Sequence, residues 1–243
     1  TKPKGTPDLS VSLIQGNIPQ DLKWLTEYQI ETLKIYATLT STEWGRDIIL
    51  WPESSIPMFQ TEAVGFISEM VKMAKETDTT WVTGIPYKDE AAFDASTDKY
   101  PPFYNSVGAA VCYEVAYPDT TRKNAIDTDF LLTISNDAWF GTSAGPLQHL
   151  QMVQMRALEN GRWFMRATNT GVTAIIDHKG RIVERAPQFE RTVLRGDVQA
   201  RVGNTPFMRF GNYPMLFIMT LLLILSYFGK RAAKPARVSP QTK

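Results

Sequence analysis

Cysteine occurs once in this sequence, as Cys112, and histidine twice, as His149 and His178. A single thiol rules out an internal disulfide framework and any thiolate-rich metal centre. No two other candidate ligands stand at ligand spacing, so neither a metal nor any other cofactor is expected. An excess of charge of one sign is missing as well. Lys+Arg number 26 against Asp+Glu 25, which leaves no basic field and makes no case for nucleic acid. Neither a repeat nor a low-complexity tract shows. The opening stretch, TKPKGTPDLS, lacks the apolar core of a secretory signal.

Charge is also absent from one long interval, between Arg209 and Lys230, where the chain reads YPMLFIMTLLLILSYFG. A run of about 17 apolar residues is at the short end of what crosses a hydrocarbon core of roughly 30 Å. A buried C-terminal core helix is the competing reading. Against it, Leu221 to Leu225 are apolar all round rather than on one face, and Tyr213 and Tyr227 flank the run at interface depth. The residues that follow, KRAAKPARVSPQTK, are basic and carry no acid. The expectation is a membrane helix over 213–229 and a cytoplasmic tail over 230–243. Residues 1–212 then lie on the opposite face, which in a bacterial inner membrane is the periplasm.

What is present suits an α/β domain. The chain has 243 residues, 43% of them hydrophobic, enough for one large domain or two small ones. Strands are expected over 10–18, 47–52, 80–85, 130–135, 173–177, 181–185 and 192–198. Helical spacing runs through 20–40, 62–75, 119–125 and 146–160. Strands separated by helices, with hairpins late in the chain, imply a layered α/β domain on mixed sheets.

Three residues carry candidate chemistry. Glu53 follows the buried run IILWP, at the C-terminal end of a strand, where ligands sit in open α/β sheets. Cys112 and Glu114 in AVCYEVAYP are two apart, which on a strand turns both side chains to one face. A thiol needs a base to become a nucleophile, and a glutamate serves where an apolar setting, such as Trp51 supplies, makes its charge costly. Read singly, Cys112 is a small core residue and Glu53 a solvated loop residue. His149 and His178 read as an ordinary helix residue and a turn residue, although histidine is the usual base for cysteine. The stretch LLTISNDAWFG is a buried strand opening into a polar loop with Asn136, Asp137 and Trp139, and RATNTGVTAII supplies another polar loop between strands.

WPES, a cysteine followed by YE, SNDAWFG and TNTGVTAII occur here in that order, over about Val11 to Ala200. Together they resemble the nitrilase superfamily of carbon-nitrogen hydrolases. LIQGNIPQDLKW, GPLQHLQMVQMRALENGR and the ending RFGNYP resemble one branch in particular, the bacterial apolipoprotein N-acyltransferases. The resemblance implies a nitrilase-like α-β-β-α sandwich ahead of a final membrane helix, and a Glu–Lys–Cys triad. Glu53 matches the general base, Cys112 the nucleophile and Glu114 a supporting glutamate. Trp24, Tyr113 and Trp139 fall on substrate-side aromatic positions. The implied reaction moves a fatty acyl chain from a phospholipid donor, through a Cys112 thioester, to the α-amino group of a diacylglyceryl-apolipoprotein acceptor, in a protein that works as a monomer at a lipid bilayer.

The chain departs from that pattern in one respect. The family's lysine stands in a stretch resembling K-x-H-L-V-P-F-G-E, and nothing like it occurs here. FYNSV runs straight into GAAVCYEV, so a lysine-bearing segment is expected to be missing at Val107–Gly108, with further chain ahead of Thr1. Lys88 and Lys99 lack the motif, and the role is carried to neither. Two other readings stay open: a nitrilase-type amidase acting on a small soluble amide, and an inactive nitrilase-like binding module.

Overall fold

A computed structural model describes residues 1–86 and 106–232, with side chains described up to 228. In chain order the elements are β1 (Lys2–Pro3), β2 (Leu9–Gln15), α1 (Thr26–Thr40), β3 (Ile48–Leu50), α2 (Val64–Glu76) and β4 (Thr80–Val82). Then follow β5 (Val107–Val111), α3 (Pro118–Ala125), β6 (Phe130–Ser135), α4 (Gly145–Asn160), β7 (Phe164–Thr168), β8 (Ala174–Ile176) and β9 (Ile182–Arg185). The last are β10 (Thr192–Val198), β11 (Arg201–Val202), α5 (Pro206–Phe210) and α6 (Tyr213–Ala232). Lys88 and Lys99 lie outside the described residues.

Alternation along the strands builds the layers. Side chains two apart share a face, so Val11, Leu13, Ile48 and Leu50 from one sheet meet Phe130, Leu132, Ile134 and Met165 from the other. That apolar layer joins a four-stranded sheet, β10-β2-β3-β4, to a five-stranded one, β5-β6-β7-β8-β9. The opposite residues face helices. Ile14, Ile49 and Trp51 pack with Leu33, Tyr36 and Met70 of α1 and α2. On the far side Leu131, Phe164 and Ala174 pack with Leu150 and Val153 of α4. The result is an α-β-β-α sandwich. β2, β3 and β4 run parallel, as do β5, β6 and β7. Strands buried on both faces read as unbroken apolar runs, which explains IIL and FLLTIS.

Three expectations need correction. The first long helix begins at Thr26 rather than near residue 20, because residues 16–25 form a loop at the end of β2. β7, a central strand, falls partly in a stretch that reads as a polar loop; Arg166 and Thr168 are wholly buried there, Arg166 paired with Asp137 and Thr168 with Thr173. Thirdly, a helix stands where a membrane span is expected, but among the described residues no helix is long and apolar enough to cross a membrane. α6 nonetheless leaves the sandwich with Tyr213 through Phe228 exposed.

Trp51 anchors the outer layer. It is fully buried, its Nε1 donates to Thr40 Oγ1 at 2.9 Å, and its ring lies 5.0 Å from both Tyr36 and Trp81. Trp51→Ala is therefore expected to cost about 3–5 kcal/mol, read as a lowered urea midpoint. A loss below about 1 kcal/mol, the size of an ordinary surface substitution, would mean that this layer does not hold the sheet.

Candidate active site

The site gathers at the C-terminal ends of parallel strands, from both sheets. Beyond β3, Pro52 and Glu53 turn the chain out of the sheet, with Ser54 at φ +50°. Gly84 packs beneath that turn, where a Cβ would stand 2.8 Å from Glu53 Cα. Beyond β5, Cys112 itself takes φ +49°, and a short 3₁₀ helix, Cys112–Ala116, follows. A left-handed non-glycine residue stores roughly 1–3 kcal/mol, and here the strained residue is the chain's one cysteine. Beyond β6 come Asn136 and Asp137, and beyond β7 comes Asn169, all buried.

Hydrogen bonds lock these loops together. Glu53 Oε2 accepts the Asn136 N–H at 3.1 Å, so a carboxylate from one sheet is held by the strand end of the other. Asn136 Nδ2 donates to Gln20 Oε1 at 2.7 Å. Asn169 donates from Nδ2 to Asn136 Oδ1 and to the Ile18 carbonyl, and its Oδ1 accepts the Ile18 N–H. Cys112 is half-buried, with Ser135 Oγ 3.6 Å from its Sγ. Burial pushes its thiol up, the Ser135 hydroxyl pulls against that, and the neighbouring Glu53 carboxylate adds to the rise. Cys112 thus holds a thiol whose proton a neighbouring base would have to take before the sulfur could act.

The other expected residues lie differently. Glu114 does not share a face with Cys112, because the strand stops at Val111 and alternation stops with it; its Oε2 turns back to accept the Val111 N–H at 2.7 Å. Trp24, Tyr113 and Trp139 are 49%, 51% and 78% exposed. Each stands next to, or two residues from, a buried or half-buried site residue: Lys23, Cys112 and Asp137 respectively. Trp51, expected beside Glu53, points into the helix layer instead. His149 is buried, but its Nε2 faces the Cys112 carbonyl oxygen at 3.1 Å rather than the sulfur. His178 lies in the turn before β9, away from these strand ends. Among the described residues no group of His, Cys, Asp and Glu could hold a metal ion.

Lys23 escaped the sequence reading altogether. Its side chain is fully buried and its Nζ donates to the Glu53 carbonyl oxygen at 3.2 Å. Burial lowers its pKa from 10.5 to about 8, with the Glu53 charge opposing the drop. The one available signal was a lysine set between Leu22 and Trp24, where a solvated loop lysine has no reason to be.

Known proteins resemble this chain in sequence and in fold. Residues 96–207 match the carbon-nitrogen hydrolase family. The chain is 37% identical over 284 residues to the apolipoprotein N-acyltransferase of Photobacterium profundum, covering 92% of this chain and 55% of that protein. It is 38% identical over 291 residues to the apolipoprotein N-acyltransferase of Vibrio parahaemolyticus, covering 94% and 57%. The chain thus spans about half the length of these relatives. An alignment of 284 residues also exceeds the 243 residues of the chain, so the relatives hold a stretch with no counterpart here. In structure it is similar to Saccharomyces cerevisiae Nit3, a nitrilase-superfamily member, with a TM-score of 0.61 at 16% identity over 80% of this chain and 91% of that one. That likeness establishes a nitrilase-like fold.

The Lys23 pKa makes a stability prediction. Between pH 8 and 10.5 the unfolded chain holds a proton here that the folded chain has released, so this residue's burden on the fold shrinks as pH rises through that window. Lys23→Met is expected to be more stable than the parent by about 3 kcal/mol at pH 7, with the gain fading toward pH 10.5. Urea unfolding at both pH values checks it; a difference that does not change with pH would place Lys23 in water.

Proposed function

Because this chain carries a carbon-nitrogen hydrolase domain and is homologous to apolipoprotein N-acyltransferases, we propose that it performs N-acyl transfer at a bacterial inner membrane. Cys112 is the nucleophile, Glu53 its general base, and Glu114 a residue that supports the cysteine turn. The phospholipid is the acyl donor and the α-amino group of a diacylglyceryl-apolipoprotein the acceptor. The observation that carries this reading is the meeting of Glu53 and Cys112 from two different sheets, with the Asn136 N–H holding the carboxylate.

The chemistry follows from the resting protonation. As the sulfur bonds to the ester carbonyl carbon, its proton passes to Glu53. The carbon–oxygen bond of the ester then breaks, the leaving alkoxide takes the proton back, and a lysophospholipid departs from a thioester. An acceptor amine next bonds to the same carbon, gives its proton to Glu53, and displaces the sulfur, which recovers that proton. Trp24, Tyr113 and Trp139 offer apolar faces to an acyl chain around the thiol. The lysine of the family's triad is assigned to no residue of this chain.

The same reading divides the chain into a catalytic domain over 1–212, a membrane span over 213–229 and a basic cytoplasmic tail. The exposed Leu221 to Leu225 of α6 gain nothing from the sandwich and would be favourable in lipid. Alkaline phosphatase fused after Lys243 is expected to be inactive in cells, and periplasmic activity from that fusion would reverse the orientation.

The acyl-enzyme gives the decisive test. Protein incubated with phospholipid vesicles is expected to gain one fatty-acyl mass on Cys112, released by hydroxylamine. Cys112→Ser should form none, and Glu53→Ala should form it 10²–10⁴-fold more slowly, the usual worth of a general base. An amidase for small amides would show no phospholipid-derived adduct, and an inactive binding module would show none from any donor. Either outcome sinks the proposal.

A further inference from the structure

Beneath Cys112 lies a set of buried polar groups that the acyl-transfer steps do not use. Ser135 Oγ is 3.6 Å from Cys112 Sγ and 2.8 Å from Asp137 Oδ1. Asp137 Oδ1 is 3.0 Å from His149 Nδ1, and Asp137 Oδ2 accepts from Arg166 Nη2. His149 Nε2, in turn, is 3.1 Å from the Cys112 carbonyl oxygen, so the set begins and ends on one residue. Ser135, Asp137, His149 and Arg166 are all 2% exposed or less. Groups this deeply buried must satisfy one another.

Counting hydrogens fixes who donates. A carbonyl oxygen only accepts, so His149 Nε2 carries a hydrogen. His149 Nδ1 lies within hydrogen-bond distance of both Asp137 Oδ1, at 3.0 Å, and Arg166 Nη2, at 3.2 Å. Burial opposes charge on Asp137, but His149, Arg166 and Ser135 together hold its carboxyl below the ordinary carboxylate range. Asp137 is thus ionised and accepts from Arg166 on Oδ2. Ser135, in contrast, has one hydrogen and two acceptors within reach, Asp137 Oδ1 and Cys112 Sγ. While Sγ keeps its proton the hydroxyl can give its hydrogen to Asp137. Once that proton has moved to Glu53, the sulfur is the acceptor in need, and Arg166 still serves Asp137 when the hydroxyl turns away.

We propose that Ser135 is a further catalytic residue, the hydroxyl that stabilises the Cys112 sulfur as it becomes a thiolate. Asp137, fixed by Arg166, is the positioning residue that holds the Ser135 oxygen within reach of the sulfur. The bonds that change are the sulfur's S–H, which breaks, and an O–H on Glu53, which forms; the serine keeps its own proton. The inference rests on Cys112 as the nucleophile of the preceding section. After burial, the Ser135 hydroxyl is the largest influence on the thiol, and it favours the thiolate.

Because Cys112 is the only cysteine, iodoacetamide alkylation reads this thiol alone and needs no lipid. The rate rises with pH as the thiolate forms, and its midpoint reports the thiol's proton affinity. Losing a hydrogen bond to a charged sulfur is expected to move the midpoint of Ser135→Ala upward by about one pH unit. Ser135→Thr keeps the hydroxyl and is expected to match the parent. If the alanine variant fails to fold, Ser135→Val and Ser135→Thr have matched shapes and differ by that hydroxyl, and the valine form is then expected to carry the upward shift. Equal midpoints, with or without the hydroxyl, overturn the proposal. A normal acyl adduct beside equal midpoints would remove this inference and leave the acyltransferase reading standing. A shifted midpoint without any adduct would do the reverse.

Discussion

Asp137 bears its charge where water does not reach, and four separate parts of the chain are placed by satisfying that charge. Its own loop follows β6, Arg166 comes from β7, His149 from α4, and Ser135 from the last position of β6. Removing one partner of a buried ion pair typically costs about 3–5 kcal/mol, because the other charge is left stranded. A deviation in any of these elements therefore carries a penalty, and their relative positions are sharply defined. Gly171 completes the enclosure: a Cβ there would stand 2.3 Å from Asp137 Oδ2, so the loop after β7 can approach only as glycine. The left-handed turn at Cys112 hangs from the same cluster, its carbonyl taken by His149 and the preceding N–H by Glu114. Those two bonds offset the strain that puts the sulfur at the strand end.

The second constraint acts between the sheets. Their facing surfaces are apolar, from Val11 and Leu50 on one side to Phe130 and Met165 on the other, and apolar contact is non-directional. Contact of that kind sets the separation of the layers but not the register of groups at their ends. Asn169 and Asn136 supply the register, joining the loop after β2 to the ends of β6 and β7 and holding Glu53 against the Cys112 side. Glu53 and Cys112, 59 positions apart in sequence, are thus brought to one site through atoms that belong to neither.

Much of this was legible in the sequence. Alternation located β2 and unbroken apolar runs located β3 and β6, and a glutamate just past a buried strand pointed to the candidate site. Periodicity fails where the backbone leaves the strand, however, and nothing in the letters AVCYE announces a positive φ at Cys112. Glu114 was therefore assigned to the wrong face. β7 was hidden because Arg166 and Thr168 look solvated until their partners, Asp137 and Thr173, are known, and those are distant in the chain. Trp51 sits two residues from Glu53, yet it faces the helix layer, since β3 ends at Leu50 and the two-residue period does not carry past the turn at Pro52 and Glu53. Lys23 was invisible for a related reason: its burial depends on the Glu53 loop closing over it.

The exposed aromatics and the exposed helix can be understood together. A folded domain in water keeps large apolar side chains inside where it can, yet Trp139, Tyr117, Tyr113 and Trp24 stand open near the strand ends that carry Cys112, and α6 is apolar on every side. Apolar surface of this kind suits something other than water. A small soluble amide would not need it, because such a substrate is recognised by a few polar groups in a closed pocket. A lipid acyl chain would, since each buried methylene contributes about 0.8 kcal/mol. The polar cluster beneath Cys112 is correspondingly shut off from this surface. The sulfur thus lies at the boundary between a buried network of charged groups and a set of exposed aromatic side chains.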